Sequence, residues 1–271
     1  MLKRLLKYDM KAISRIAYPC LLASVTMSIL CCAVIYFTFG FTDEIDSIFS
    51  AIMLTGGLYL VGILTVIAMV TIVGIAVVAR YYRSIFTDEG YLNMVIPVSK
   101  KQFLDSKIIS SVIWLIICSV TAGACLVISV LLPTLLYDTS LISEAVEILK
   151  SEAGVDGGGE ALLVSAVVMQ LAVALFSLAK DVMLVITAIT VGSIIFKRFR
   201  ICACVIIYFG ITVFEEMLTV LIKYLIARVT SSNLWLTLTV NVMLEIIVVS
   251  VTFAIGYLVS LFALDKKLNL E

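Results

Sequence analysis

Six long apolar runs constrain this chain of 271 residues more than any other feature. The hydrocarbon core of a bilayer is about 30 Å thick, and a helix needs about 20 apolar residues to cross it. Runs of that length occupy residues 19–41, 57–79, 108–132, 162–196, 201–222 and 236–264. Because an isolated run in lipid must be helical to satisfy its backbone, the sequence predicts an all-α, polytopic membrane protein with six transmembrane helices.

The basic residues show which loops lie on which side of the membrane. Lysine and arginine balance aspartate and glutamate at 19 each, so the net charge is uninformative. Their positions alternate: basic residues cluster before the first span, between the second and third, after the fourth, and at the end. The opposite loops hold only Lys150, Lys223 and Arg228. By the positive-inside rule, both termini and the segment at 80–107 are expected in the cytoplasm.

Metal binding and disulfide formation find little support in the composition. The chain has no histidine, and its seven cysteines lie in or beside apolar runs rather than in paired positions of outer loops. Cys202 and Cys204 form a lone CxC pair, which fits small apolar packing residues better than a metal site. We expect no metal site and no disulfide framework.

Two segments outside the spans have helical patterns of their own. Residues 1–18 place apolar side chains on one face and basic ones on another, which predicts an interfacial amphipathic helix that ends where the chain turns in at Pro19. The alternative is that its charge only sets topology. The outer loop at 133–161 is expected to contain a short helix, which either caps the bundle or receives a substrate.

Two ionisable residues lie near the middle of the fourth apolar run. Lys180 and Asp181 are neighbours along the chain and point about 100° apart on a helix, so they do not form an ideal pair with each other. A charge at such a depth needs a partner or water. At least one of the two is therefore expected to pair with another helix or to face a wet cavity.

Further carboxylates lie in the last two runs. Glu215 and Glu216 are adjacent, which predicts a break in the fifth span near Glu215 and a short apolar segment that dips back. Glu245 is expected within reach of Lys223 or Arg228. These residues form either a structural ion-pair network or part of a transport pathway.

A new helix is expected to begin in the segment between the second and third spans. Pro97 ends the preceding structure, and Ser99 with Gln102 reads as a capping box. Val98 and Phe103 are spaced to form the hydrophobic staple around it. The helix that starts at Ser99 is predicted to continue into the third span.

The same segment resembles the loop between the second and third spans of bacterial ATP-binding cassette (ABC) permeases of the type-2 exporter class, which often reads as a variant of "EGYL…LPVS…SK". Ile96 stands where leucine is common. The residues that carry the resemblance are Arg83-Ser84-Ile85-Phe86, Asp88-Glu89-Gly90-Tyr91-Leu92, Ile96-Pro97-Val98-Ser99-Lys100-Lys101-Gln102 and Ser106-Lys107.

The resemblance implies that the chain is a single permease domain over 1–271, in the bacterial cytoplasmic membrane, with a coupling helix that docks on a cytoplasmic ABC ATPase subunit. It also implies a homodimer, or a heterodimer with a second permease. ATP and magnesium would bind the partner, because the chain has no GxxxxGK[ST] loop and so is not expected to be an enzyme or to hold a cofactor. No nucleic-acid partner is expected. The ATPase-coupling residues would be Asp88, Glu89, Gly90, Tyr91, Leu92, Met94, Pro97 and Ser99.

Two other functions remain open from the sequence. The chain is alternatively a scaffold or sensor accessory that uses the same loop to hold a partner without transporting anything. A second alternative is an ion-coupled secondary transporter that uses Lys180, Asp181 and Glu245. The substrate of an exporter of this kind would be a peptide, antibiotic, lipid or similar amphiphile.

Overall fold

The six expected spans are confirmed as long helices. A computed structural model describes residues 2–40, 48–86, 99–137, 160–195, 200–229 and 234–268. Within these ranges every residue except Ser99 is α-helical, and no strand occurs. All six helices are long and apolar enough to cross a membrane, as expected of a six-span polytopic protein. The helices are α1 (Leu2–Gly40), α2 (Ile48–Phe86), α3 (Lys100–Tyr137), α4 (Glu160–Ile195), α5 (Arg200–Val229) and α6 (Leu234–Leu268).

The helices divide into two compact units, and α1, α2 and α3 pass from one unit to the other. One unit comprises Met10–Val77 and Ile113–Glu160. Its core is a cluster of side chains from α1, α2 and α3 at helical spacing, which buries one stripe of each helix. The cluster contains Ile13, Ala17, Leu21, Met69, Val73, Val77, Trp114 and Cys118.

This cluster explains why α1 does not break at Pro19. A proline inside a helix removes one backbone hydrogen bond and clashes with the preceding turn, so an interfacial helix was predicted to end there. Instead Leu2–Gly40 is one helix with Pro19 inside it. Ala17 before the proline and Leu21 after it are buried in the same cluster, which fixes the helix on both sides. Residues before and after Pro19 therefore form one continuous helix rather than two, and the interfacial position of residues 1–18 stays a prediction.

The other unit contains α4, α5 and α6 with the adjoining ends of α1, α2 and α3: Met1–Asp9, Val78–Val112 and Ala161–Glu271. Small residues bring its helices close together. A Cβ added at Gly192 of α4 would lie 2.8 Å from Cys204 Sγ and 3.0 Å from its backbone on α5. Thr187 Oγ1 lies 3.2 Å from the Gly256 carbonyl oxygen on α6. Close approach of this kind is typical of helix packing in membranes.

Two predictions about helix continuity have opposite outcomes. The break expected near Glu215 is wrong, because α5 is continuous from Arg200 to Val229. The helix start at Ser99 is confirmed: the Gln102 backbone N–H donates to Ser99 Oγ at 3.4 Å, and α3 begins at Lys100. The predicted staple involves Val98 and the predicted outer helix lies within 138–159, both outside the described residues.

Candidate functional site

A cleft lined by charged side chains opens between α4, α5 and α6. Its volume is about 320 Å³, which is at the lower end of the range for small-molecule sites. All of its lining residues fall in the three candidate membrane spans Val168–Ile195, Cys202–Ile226 and Thr239–Leu264. The lining residues are Gln170, Val173, Ala174, Ser177 and Lys180 from α4; Glu215, Glu216, Thr219 and Lys223 from α5; and Glu245, Val248 and Val249 from α6.

One ion pair between α4 and α5 lines this cleft. Lys180 Nζ donates to Glu215 Oε1 at 2.9 Å, and the two side chains are only 13% and 9% exposed. Asp181 Oδ1 lies 3.7 Å from the same Nζ, with its side chain about half exposed. The expectation that at least one of Lys180 and Asp181 pairs with another helix or faces a wet cavity is thus confirmed for Lys180. The Lys180–Glu215 pair also explains why α5 is continuous, because a paired carboxylate does not force the helix to leave the bundle.

A second ion pair lies further along the face of α5 that carries Glu215. Glu215, Thr219 and Lys223 follow at intervals of four residues, so they share one helix face. Lys223 Nζ donates to Glu245 Oε1 on α6 at 2.5 Å, which confirms the predicted reach of Glu245. Eight residues separate the α5 members of the two pairs, about 12 Å along the helix. The cleft therefore has a charged pair at each of two levels.

Glu216 differs from the other carboxylates of the cleft. It lines the cleft and its side chain is exposed. Among the described residues it forms neither an ion pair nor a hydrogen bond, whereas Glu215 and Glu245 each contact a lysine. The sequence placed Glu215 and Glu216 together, and only the packing of α4 and α6 against α5 distinguishes them.

A separate charged cluster joins α1, α2 and α3, and the sequence analysis did not find it. Lys107 Nζ donates to Asp9 Oδ1 at 2.5 Å, and Arg80 Nε lies 3.7 Å from the same oxygen. Asp9 and Lys107 are buried, although both are ionisable. One signal was present: Asp9 lies four residues before Ile13 in line with the buried stripe of α1.

The structure also connects α3 to α6 at the start of α3. The Tyr257 hydroxyl on α6 donates to Asp105 Oδ1 at 3.0 Å. Two residues later, Lys107 holds α1 through Asp9. The first two turns of α3 after Ser99 therefore contact both α1 and α6 through polar side chains.

Most of the predicted ATPase-coupling residues lie outside the described ranges. Asp88, Glu89, Gly90, Tyr91, Leu92, Met94 and Pro97 lie outside the described residues, and of the predicted coupling set only Ser99 is described. Within the described ranges, no group of three or more His, Cys, Asp or Glu side chains is placed to hold a metal ion. Cys204 is buried with its thiol toward the Ile189 carbonyl, while Cys202 is exposed.

Comparisons with protein-family models, with curated proteins and with solved structures find no match for this chain.

Proposed function

We propose that the chain is the membrane-spanning permease subunit of an ABC exporter of the bacterial cytoplasmic membrane. ATP would be hydrolysed by a separate ATPase subunit, and the permease would pair with itself or with a second permease. The observation that carries the proposal is the sequence Glu89-Gly90-Tyr91-Leu92, followed by Pro97 and by the helix that Ser99 caps. This order of residues resembles the coupling segment of such permeases.

The contacts at the start of α3 support the proposal with a physical route. The helix Lys100–Tyr137 begins directly after the proposed coupling segment, so its first turns would receive any displacement of that segment. Asp105 and Lys107, within two turns of Ser99, hold α6 and α1. A partner that moves the preceding segment would thus act on three helices at once.

The charged cleft supports a transport role rather than a purely structural one. A scaffold needs no polar cleft among its membrane spans, and ionisable residues inside spans commonly mark a substrate or ion pathway. The lining of the cleft by α4, α5 and α6 is consistent with a path that opens and closes as these helices move. A scaffold or sensor accessory is accordingly the weaker alternative.

The test is co-purification from cells that express the tagged full-length chain from its own locus. The proposal predicts that a protein with a GxxxxGK[ST] sequence and ATPase activity co-purifies in stoichiometric amount. A Glu89→Ala, Tyr91→Ala variant should lose most of that association. The matched control is Phe262→Ala on the exposed face of α6, which should retain it. Association that is equal in both variants would contradict the role of the segment.

The cleft itself favours a second candidate, an ion-coupled secondary transporter. Its Lys180–Glu215 and Lys223–Glu245 pairs are the kind of groups that exchange ions or protons. This candidate predicts uptake or efflux driven by a pH or sodium gradient in vesicles that lack ATP. An ABC permease predicts no such gradient-driven flux and requires its ATPase.

A further inference from the structure

The charge balance of the cleft leaves one carboxylate available to a ligand. Two lysines and three glutamates line it, and each lysine is already held by a glutamate. Lys180 also has Asp181 at 3.7 Å, so no ammonium group of the cleft lacks a carboxylate. Glu216 is the lining carboxylate that contacts no cation in the described part of the chain.

An ionised carboxylate inside a membrane span is costly unless a cation compensates it. Glu216 lies one residue from Glu215, within the candidate span Cys202–Ile226. Its neighbours on the exposed side of α5 are apolar, including Phe214, Met217 and Val220. A positively charged group in the cleft would satisfy Glu216, and a low effective dielectric would strengthen that interaction.

The rest of the lining fits a hydrocarbon group beside the charge. Val173 and Ala174 on α4 face the cleft from one side, and Val248 and Val249 on α6 face it from another. Pockets that combine apolar walls with a few fixed polar groups bind ligands that carry both kinds of surface. Gln170, Ser177 and Thr219 add neutral polar side chains that an ammonium group or its hydration water can contact.

We infer that this cleft binds the ammonium group of an amphiphile, with Glu216 as the recognition carboxylate and the valines of α4 and α6 against its hydrocarbon part. An anionic ligand fits less well, because both lysines are engaged. The inference gives the proposed exporter a substrate class and rests on the proposed function only in calling the ligand a substrate. Binding itself requires no ATPase.

The experiment measures binding of tritiated octylammonium to the purified full-length chain in dodecyl maltoside micelles by scintillation proximity. We expect saturable binding that unlabelled octylammonium displaces and that octanol, with the same tail and no charge, does not. Glu216→Gln should weaken the affinity about tenfold or more. The matched control is Asp105→Asn, which removes a carboxylate at the start of α3 but keeps an oxygen for the Tyr257 hydroxyl, and it should bind normally.

A second variant tests the position of the site without changing any charge. Ala174→Leu puts added volume into the cleft opposite α6 and should reduce binding even if Glu216→Gln proves unstable. Equal affinity of the wild-type chain, Glu216→Gln and Ala174→Leu would overturn the inference, as would equal displacement by octanol.

Two competition measurements with lipids identify the source of the ammonium group. Displacement by short-chain phosphatidylethanolamine, but not by the matching phosphatidylglycerol, would support the inference and assign the ligand to a lipid headgroup. Displacement by octylammonium alone would support it for a free amphiphile. Octylammonium binding that depends on Glu216 in a chain that co-purifies with no ATPase would leave the cleft assignment intact and reject only the exporter proposal.

Discussion

Removal of the Glu215 carboxylate tests whether the Lys180–Glu215 pair holds α4 to α5. The two side chains are 13% and 9% exposed and their charged atoms are 2.9 Å apart, so Glu215→Gln leaves an ammonium group buried with a weaker partner. Breaking a buried pair in this way costs about 3–5 kcal/mol. Asp181 at 3.7 Å remains as a partial substitute, which places the expected loss near the lower end, about 3 kcal/mol.

The assay is equilibrium unfolding in mixed micelles of dodecyl maltoside and dodecyl sulfate, followed by circular dichroism. A double variant, Lys180→Met with Glu215→Leu, replaces the pair with apolar side chains of similar size. Since such replacements are often neutral, its stability should lie within about 1 kcal/mol of the wild-type chain. The single variants Lys180→Met and Glu215→Leu complete the double-mutant cycle, and their summed losses should exceed the loss of the double variant by at least about 3 kcal/mol.

Two results would refute the reasoning about this pair. One is a loss below about 1 kcal/mol for Glu215→Gln, which is the range of exposed ion pairs. The other is a double variant as unstable as the two single variants added together. Asp181→Asn is the control, because its half-exposed side chain makes the longer contact, and we expect it to change stability less than Glu215→Gln does.

Three further predictions follow from contacts elsewhere in the described helices. Gly192→Ala should destabilise the protein by about 1–3 kcal/mol, because the added methyl would lie 3.0 Å from the backbone of α5. A Cβ added at Gly123 would have no neighbouring atom within 4 Å, so Gly123→Ala should be neutral or stabilising. Equal thermal shifts for Gly192→Ala and Gly123→Ala would contradict the packing argument. Asp9→Asn should cost about 3 kcal/mol, since it replaces the buried carboxylate that the Lys107 ammonium group contacts with a neutral amide; an unchanged unfolding transition would reject this. Ser99→Ala should cost about 1 kcal/mol through the lost cap of α3, with Ser99→Asp as the control that keeps it.

Local patterns were sufficient where the membrane or the backbone alone sets the structure. An apolar run of about 20 residues must be helical in lipid, so the six helices follow from the sequence. The start of α3 was also predictable, because a serine before the first helical residue caps its own helix without help from the rest of the fold. A contact of Glu245 with Lys223 or Arg228 was anticipated for a similar reason, since α5 and α6 follow each other closely along the chain, and Lys223 is the residue that makes it.

Predictions failed where a distant helix overrides a local signal. Pro19 is a local reason to expect a break in α1. The neighbouring carboxylates Glu215 and Glu216 are a local reason to expect one in α5. Packing of Ala17 and Leu21 against α2 and α3 keeps α1 continuous, and Lys180 from α4 neutralises Glu215. The relevant partners are 35 or more residues away along the chain, so no local pattern contains them.

The sequence by itself determined the number of spans, their helical character and the capped start of α3, because these depend on lipid and on neighbouring residues. Only the tertiary structure decided which charges are paired. Asp9 pairs with Lys107 and Lys180 pairs with Glu215 through contacts between separate helices, and Glu245 pairs with Lys223 rather than with Arg228. The same packing leaves Glu216 facing the cleft without a lysine partner. Adjacent positions on a helix point about 100° apart, and Lys180 of α4 pairs with Glu215, the residue before Glu216.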